Sequence, residues 1–556
     1  MASAGRGLAA TLDRLFGIDG RSLAAFRIAL GALVVADLVT RAADLEAHYT
    51  DAGVLPREAY RRLFALSEWQ WSLHMSTGSV AGQAALLVVA LAAACALVVG
   101  YRTRLATAVT WLLTVSLQAR NPMILYGADQ LLRMLLFWSL FLPLGAEWSL
   151  DRLRGASPQD RPRRHLSMAT AAILLQPCLM YLFSGALKQN PSWHSGAALS
   201  HALSSDMFAT PLGHRLLAYP GLLERLTPLV PWFEMLVPLA LFVPWATGAF
   251  RAAALLLLAG FHLVLGLLFV TGLFQYAAVA GLLPFIPGGA WDRLAGSGPL
   301  RRLARPIAER PRRLPSHGRL RPAPTAPRRW LDAGGQILVA GLFLYVVAWN
   351  VAGLRLEEYS TRHSMTWIRE WWAAGHPGVP LTFRDYVVER MLGNLGWIGR
   401  VASLHQRWDM FYRTSVEERG WHVVIGTLED GREISLLEGG RPLESGTHRK
   451  PASVRALYPT TRWATYFAYL RTPGAEPARR LLPPVISRQW AKRRPDLPIE
   501  TLRIVFVQDL PASGPGASGH REIVWYEGPP QGAMAEGGRS GADGHQPSLG
   551  AVDPRR

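Results

Sequence analysis

The chain of 556 residues is half hydrophobic, contains 20 tryptophans and carries a formal net charge of +19. On a soluble protein such a charge would suggest a nucleic-acid partner. Here the basic residues lie in loops between long apolar runs, so membrane topology explains the charge and no nucleic-acid partner is expected. Both cysteines, Cys95 and Cys178, lie inside apolar runs, which argues against a structural disulfide and against a metal site.

Apolar runs long enough to cross a hydrocarbon core of roughly 30 Å recur along the first two thirds of the chain. The N-terminus is polar and lacks a cleavable signal pattern, so the first run is predicted to remain as a signal-anchor helix. Nine membrane-spanning helices are predicted, at residues 23–41, 80–100, 103–119, 130–148, 167–187, 226–245, 251–270, 272–287 and 335–353. Residues 251–287 are too long for one crossing, so two helices with a turn near Thr271 and Gly272 are expected there.

Arginine is distributed unevenly between the loops, which predicts the orientation of the chain. The 149–166 loop holds five arginines and the 288–334 loop holds eleven. The positive-inside rule places both loops in the cytoplasm, which requires nine crossings and puts the C-terminus outside. Because the Ala- and Arg-rich usage is typical of a high-GC bacterium, we expect a multi-pass protein of the bacterial inner (plasma) membrane. The arginine cluster is interpreted as a contact with anionic lipids.

The predicted fold is a polytopic α-helical membrane protein with a C-terminal α+β domain on the outer, periplasmic side. In that domain the sequence predicts a hairpin at 421–437 with its turn at Gly431, strands at 501–507 and 522–526, and helices at 382–402 and 483–493. The predicted divisions are a cytoplasmic N-terminus (1–22), a membrane domain (23–300), an Arg- and Pro-rich cytoplasmic loop (301–334), a last span (335–354), the periplasmic domain (355–528) and a disordered tail (529–556).

Charged residues inside the apolar runs need partners, because a charge in lipid costs roughly 2.5 kcal/mol or more. Arg27 and Asp37 lie ten positions apart in the first run, too far to pair with each other, so each is expected to face another helix or an interface. Asp129 and Arg133 are four positions apart and are interpreted as a pair that neutralises itself.

Lys188 is one of only three lysines among 59 basic residues, and it ends the fifth apolar run. A lysine loses its proton when water is removed from around it, whereas an arginine does not, so Lys188 is a candidate base. The alternative is an anchor whose ammonium reaches the membrane surface. Glu234 and His262 are candidates to line the same outward-opening cavity, or else they are a packing partner and a hydrogen-bonded core histidine.

Three ordered motifs occur around these residues. The pattern Y-x-x-x-G-x-x-K followed by W-x-x-G is formed by Tyr181, Gly185, Lys188, Trp193 and Gly196. The second motif is formed by Phe261, His262, Leu268, Phe269, Gly272, Phe274 and Tyr276, and the third by Leu125, Tyr126, Gly127, Trp148, Ser149 and Asp151. Over about residues 15–300 the chain thereby resembles the HTTM (horizontally transferred transmembrane) domain family and the membrane core of vitamin K-dependent γ-glutamyl carboxylase.

The resemblance implies a site and a reaction. Lys188 would act as a base toward a reduced quinone, which is the one cofactor implied, with carboxylase- or epoxidase-like chemistry and with His262 also in the catalytic site. The implied substrate-binding residues are Tyr126, Tyr181, Trp193, Glu234, Phe274 and Tyr276. Expected partners are membrane lipids, a quinone and a periplasmic peptide. The chain departs from the carboxylase at Pro122, where that family has a histidine, and at Leu265 and Leu267, where it has polar residues.

Three functions follow from these patterns. The first is an enzyme that uses Lys188 as general base on a membrane quinone or a similar lipid. The second is a non-catalytic membrane scaffold or maturation factor that presents the periplasmic domain. The third is a transporter with Glu234 and His262 as a proton relay, which is ranked last because the spans show no evident inverted repeat.

Overall fold

The computed structural model describes residues 2–64, 69–154, 163–296, 326–354, 395–411, 419–443, 450–510 and 519–530. Most of the predicted loop 301–334, of the predicted helix 382–402 and of the predicted tail 529–556 lies outside these residues.

The described residues up to 354 are mainly helical. Their helices are Ala2–Phe16 (α1), Gly20–Ala43 (α2), Leu45–Tyr49 (α3), Arg57–Leu63 (α4), Val80–Val99 (α5), Thr103–Arg120 (α6), Gly127–Ser139 (α7), Leu150–Arg154 (α8), Met168–Leu187 (α9), Pro191–His194 (α10), Ala198–Leu203 (α11), Pro211–Leu216 (α12), Pro220–Leu226 (α13), Leu229–Leu236 (α14), Thr247–Leu268 (α15), Phe274–Leu282 (α16), Gly288–Gly296 (α17) and Ala326–Gly353 (α18). Two short strands, Ile18–Asp19 (β1) and Arg164–His165 (β2), pair with each other.

Six helices within the described ranges are long and apolar enough to cross a membrane. They are Gly20–Ala43, Val80–Val99, Met168–Leu187, Pro220–Phe242, Thr247–Leu268 and Asp332–Gly353. Each overlaps a predicted span, although Pro220–Phe242 begins six residues before the predicted span 226–245. Of the other three predicted spans, 103–119 is the 18-residue helix α6 and 272–287 is a shorter apolar helix, Phe274–Phe285.

The span predicted at 130–148 is wrong in length. The helix α7 ends at Ser139, and turns follow it up to Trp148. Pro143 has no backbone N–H to continue a helix. The carbonyl groups in these turns are bonded by the guanidinium of Arg27, which therefore faces another element, as expected. An apolar run alone does not show where backbone carbonyl groups stop accepting from N–H groups of the helix and accept from a side chain instead.

The turn between α15 and α16 lies where the sequence predicted it. Gly272 adopts a positive φ of 60°, which favours glycine. The N–H of Val270 donates to the carbonyl of Phe208 at 2.7 Å, and the N–H of Leu273 donates to the hydroxyl of Tyr126 at 3.3 Å. Protein groups thus satisfy these two backbone N–H groups of the turn.

The sequence did not predict the four short helices α10 to α13. They are too short to give a clear hydrophobic period, but their first turns carry recognisable signals. Proline occupies the first position in α10, α12 and α13, and the side chains of Asn190 and Thr210 cap α10 and α12.

Among its described residues, the C-terminal region contains an antiparallel sheet and four helices. Its strands are Gly420–Leu428 (β3), Glu433–Ser435 (β4), Arg441–Pro442 (β5), Ile499–Leu510 (β6) and Gly519–Gly528 (β7), in the order β5-β4-β3-β6-β7. Its helices are Gly396–Val401 (α19), Thr461–Leu470 (α20), Glu476–Arg479 (α21) and Leu482–Arg493 (α22). The predicted hairpin is confirmed, and Gly431 takes a φ of 80° at its turn. The predicted strands near 501 and 522 and the helix at 483–493 are confirmed as well.

The segment that follows α19 packs between membrane-region helices. Leu404, Gln406 and Trp408 are buried. The side-chain amide of Gln130 on α7 accepts from the backbone N–H of Arg407 at 2.9 Å and donates to its carbonyl at 2.6 Å. The C-terminal region is therefore attached to the helices by hydrogen bonds in their interior as well as by surface contacts.

Candidate functional site

Lys188 directly follows the last residue of α9, and its side chain turns back onto that helix. The ammonium nitrogen lies 2.6 Å from Oε2 of Glu234, 2.7 Å from Oγ of Ser184 and 3.2 Å from the Ser184 carbonyl. Only 3% of Lys188 and 6% of Glu234 is exposed. This burial does not fit a surface anchor, whose ammonium would lie in water. Lys188 and Glu234 therefore form a buried ion pair between α9 and α14.

A glycine permits the close approach of these two helices. A Cβ atom at Gly185 would lie 2.7 Å from the carbonyl oxygen of Pro231 and 2.8 Å from Cγ of Met235, both on α14. No side chain fits at such distances. Because Gly185 precedes Lys188 by one helical turn, its contact with α14 also brings Glu234 within reach of the ammonium.

Tyr181 and His262 form a second buried polar pair. The tyrosine hydroxyl lies 2.6 Å from Nε2 of His262, which is 1% exposed. The rings of Phe261 and Phe274 flank the imidazole, with centroids 5.5 and 5.7 Å away. The other ring nitrogen, Nδ1, is buried and has no hydrogen-bond partner among the described residues. Tyr181 lies two turns before Lys188, so both pairs project from one face of α9.

An aromatic ring closes the site on the side of α10. The Trp193 ring centroid lies 5.5 Å from the Lys188 nitrogen, within cation–π range. The indole N–H of Trp193 donates to the carbonyl of Phe411 at 3.2 Å. The position of this ring therefore depends on the C-terminal region.

The remaining predicted site residues lie in different surroundings. Phe274 is buried against His262, whereas Tyr276 is 59% exposed. Two positions along a helix turn a side chain by roughly 200°, which explains the difference. Tyr126 bonds the turn at Leu273 and belongs to a second group of polar residues. The structure thus brings Lys188 together with Glu234 and His262 with Tyr181, and leaves Tyr276 apart.

The second group is a buried charge cluster formed by Asp37, Arg41, Asp129 and Arg462. Arg41 bonds Asp37 at 2.8 Å and also pairs with Asp129. Arg462, from α20, lies 2.5 Å from Asp37 and 2.9 Å from Asp129. Asp37 therefore faces another element, as expected.

The predicted pairing of Asp129 with Arg133 is wrong. Arg133 donates instead to the side chain of Gln118 at 3.3 Å and to the carbonyl of His405 at 2.7 Å. Asp129 caps the start of α7 by accepting from the N–H of Tyr126, so its carboxylate points toward α2 and α20 and away from the following turn.

Arg462 and its helix were not recognised from the sequence. A signal was present, since Thr460 caps the helix and Trp463, Tyr466, Phe467 and Leu470 follow at helical spacing. The opposing charges lie more than 300 positions earlier in the chain, and helical periodicity gives no information about such distant partners.

His48 lies beside the cluster, with its ring 4.5 Å from that of Trp463. Both of its ring nitrogens are buried without a hydrogen-bond partner in the part of the chain that the structure describes. Burial first, and then the positive charges of Arg462 and Arg41, lower the pKa of His48 to about 3.

We expect replacement of His48 by phenylalanine to weaken the loss of stability on acidification. Below pH 6.5 the unfolded chain binds a proton at this histidine and the folded chain does not. As the pH is lowered from 6.5 to about 3, the free energy of unfolding therefore decreases by up to about 1.4 kcal/mol per pH unit because of this residue. Thermal unfolding between pH 7.5 and 5 measures the difference. The exposed His194 provides the control variant His194→Phe, which should keep the wild-type dependence, and equal slopes for all three proteins would contradict the assignment.

Comparison with known families identifies the helical region. The family model described as HTTM domain matches residues 17–288. The chain matches no curated protein and no solved structure at a significant level. The matched region holds the Lys188–Glu234 and Tyr181–His262 pairs and all of the charge cluster except Arg462. Residues 17–288 thus match the HTTM domain family, and the long apolar helices among the described residues support a membrane protein.

Proposed function

We propose that the protein is a membrane enzyme that removes a proton from an apolar hydroxyl substrate of the reduced-quinone class, with Lys188 as the base. The observation that carries the proposal is the Lys188–Glu234 ion pair, which is buried at the end of a membrane-length helix and flanked by a tyrosine–histidine pair. Isolated buried charges are costly, and paired ones inside membrane helices usually mark a functional site.

The ion pair provides a route for the proton. Base function at Lys188 requires the ammonium proton to move onto the Glu234 carboxylate across the 2.6 Å hydrogen bond. The free amine then accepts the proton of a substrate hydroxyl. The products are the substrate anion, the Lys188 ammonium and the Glu234 carboxylic acid, and the new ammonium stabilises the anion.

The surroundings suit a quinol. His262 presents a buried ring nitrogen without a partner among the described residues, which is available to a substrate oxygen. The rings of Phe274, Phe261 and Trp193 provide apolar walls for an aromatic head group. A bound quinol supplies the acidic hydroxyl, whereas these residues orient it, exclude water and hold its proton.

We also propose nine crossings of the bacterial inner membrane, with the short helix α7 and the turns that follow it forming one of them, the N-terminus in the cytoplasm and the C-terminal domain in the periplasm. It rests on the concentration of arginines in the 149–166 and 288–334 loops. In this arrangement Lys188 lies near the outer leaflet, where a membrane-dissolved quinol reaches it laterally.

Lys188→Arg is expected to lower quinol turnover at least 100-fold, since a guanidinium does not act as a base at ordinary pH. The assay uses the full chain in lipid nanodiscs with reduced menaquinone and oxygen. Absorbance follows quinol oxidation, and mass spectrometry detects an epoxide product. Lys450→Arg is the matched control, because that lysine pairs with Asp509 of the C-terminal region and with Asp206 of the helical region rather than with Glu234. Wild-type turnover in Lys188→Arg would rule out the base assignment.

A second candidate function is a non-catalytic scaffold that presents the C-terminal domain. It is supported by the segment around Gln406 and Trp408, which is buried against the helices. Under this function Lys188→Arg leaves the cellular phenotype unchanged, whereas deletion of residues 355–528 abolishes it.

A further inference from the structure

The charge cluster is assembled from two parts of the chain. Asp37, Arg41 and Asp129 belong to the HTTM domain, whereas Arg462 belongs to the C-terminal region. All four are buried, between 1% and 5% exposed. Without Arg462, the residues that the HTTM domain contributes to the cluster are two carboxylates, Asp37 and Asp129, and one guanidinium, Arg41. One buried negative charge would then lack a counter-ion, which is strongly unfavourable.

The guanidinium of Arg462 is held by a fork of acceptors. Its Nη1 donates to Oδ2 of Asp129 and to the carbonyl of Ile124, each at 3.1 Å. Its Nη2 donates to Oδ1 of Asp129 at 2.9 Å and to Oδ1 of Asp37 at 2.5 Å. Both oxygens of Asp129 are thus matched to the two terminal nitrogens, the bidentate geometry that a planar guanidinium satisfies.

An aromatic ring contacts the same group. The Tyr126 ring centroid lies 5.1 Å from the central carbon of the guanidinium, within cation–π range. Asp37, Asp129, Ile124 and Tyr126, which supply every contact described above, all belong to the HTTM domain. The arrangement therefore has two anionic groups, a carbonyl and an aromatic ring, directed at one planar cation.

We propose that the HTTM domain contains a guanidinium-binding site formed by Asp37, Asp129, the Ile124 carbonyl and Tyr126, which Arg462 of the same chain occupies. The site does not depend on the chemistry proposed for Lys188, and each proposal stands if the other fails. An ammonium ion is a poorer occupant, because it lacks the planar fork that spans both oxygens of Asp129.

Chemical rescue tests the site. In full-length Arg462→Ala the side chain is removed and a space with one unbalanced carboxylate remains. We expect the midpoint of thermal unfolding, followed by the intrinsic fluorescence of the 20 tryptophans, to fall by about 5 °C or more. Guanidinium chloride at 1–10 mM should restore at least half of this loss, because a ligand that binds the folded state stabilises it.

The controls separate site binding from general salt effects. Equimolar sodium chloride and methylammonium chloride should restore much less, and guanidinium should not stabilise the wild-type protein. Arg432→Ala removes an exposed arginine that pairs with Asp430 at the hairpin turn, and it should neither lower the midpoint nor respond to guanidinium. Restoration by guanidinium that does not exceed that by sodium or methylammonium overturns the proposal.

A second variant covers the case in which Arg462→Ala yields no folded protein. Asp129→Asn in the same background removes the unbalanced carboxylate charge and leaves Asp37 paired with Arg41. The double variant should therefore recover folded protein by size-exclusion chromatography, and it should not respond to guanidinium. Failure to recover folded protein would overturn the proposal, because the unbalanced carboxylate charge would then not be the reason why Arg462→Ala is unstable.

Discussion

Replacing either member of the Lys188–Glu234 pair alone should lower the free energy of unfolding by about 3–5 kcal/mol. The reason is burial, since each side chain retains only a few per cent of its exposure. In Lys188→Met the Glu234 carboxylate loses the ammonium 2.6 Å away, and in Glu234→Gln the ammonium loses its counter-ion and contacts Ser184, the Trp193 ring and at most a neutral amide oxygen. The uncompensated charge, rather than the loss of the bond itself, accounts for most of the cost.

Replacing both members should restore most of that stability. In Lys188→Met/Glu234→Gln no charge is left without a partner, so the double variant is expected within about 1–2 kcal/mol of the wild type. If the pair transfers the proton, the double variant folds but shows no quinol turnover. Thermal unfolding and the quinol assay on the same preparations distinguish loss of fold from loss of chemistry.

An exposed pair of the same kind provides the control. Lys492 and Glu46 are also 2.6 Å apart, but their side chains are 62% and 46% exposed. Lys492→Met should cost less than about 1 kcal/mol. If Lys188→Met cost no more than Lys492→Met, the pair would not be isolated from water, and the case for a protected proton-transfer site would fail.

The residues of the site, but not their pairing, could be predicted from the sequence. Lys188, Glu234 and His262 stand out because they are polar residues in apolar surroundings, and the motif resemblance adds Tyr181 and Trp193. Helical periodicity shows which residues share a face of α9, but it does not show that Glu234 on α14 reaches Lys188 while His262 on α15 reaches Tyr181. That pairing depends on how closely the helices pack, which Gly185 permits.

The fold was predictable where periodicity and turn chemistry agreed. The hairpin at Gly431 and the turn at Gly272 both combine a clear pattern with a residue that tolerates positive φ. The charge cluster was not predictable, because a local explanation for Asp129, its neighbour Arg133, competes with the observed partners Arg41 and Arg462, which lie far away in the chain. The span at 130–148 failed for a related reason, since the side chain that stabilises its non-helical end belongs to α2.

Replacing this side chain, in Arg27→Met, should lower the free energy of unfolding by about 3–5 kcal/mol. Arg27 is fully buried, and its guanidinium donates to the carbonyls of Leu144, Glu147 and Trp148 at 2.5–3.2 Å and to that of Val98 at 3.4 Å. Methionine fills similar space but leaves these carbonyls without their donor in a region of low polarity.

Thermal unfolding of matched variants measures this effect. Arg104→Met changes an exposed arginine at the start of α6 and should shift the unfolding midpoint little. Arg27→Lys should lie between Arg27→Met and the wild type, because an ammonium keeps the charge but provides fewer and differently directed donors. If Arg27→Met were as stable as Arg104→Met, other groups would have to donate hydrogen bonds to the backbone carbonyl groups of the turns at 140–148. The early end of α7 would then require an explanation other than Arg27.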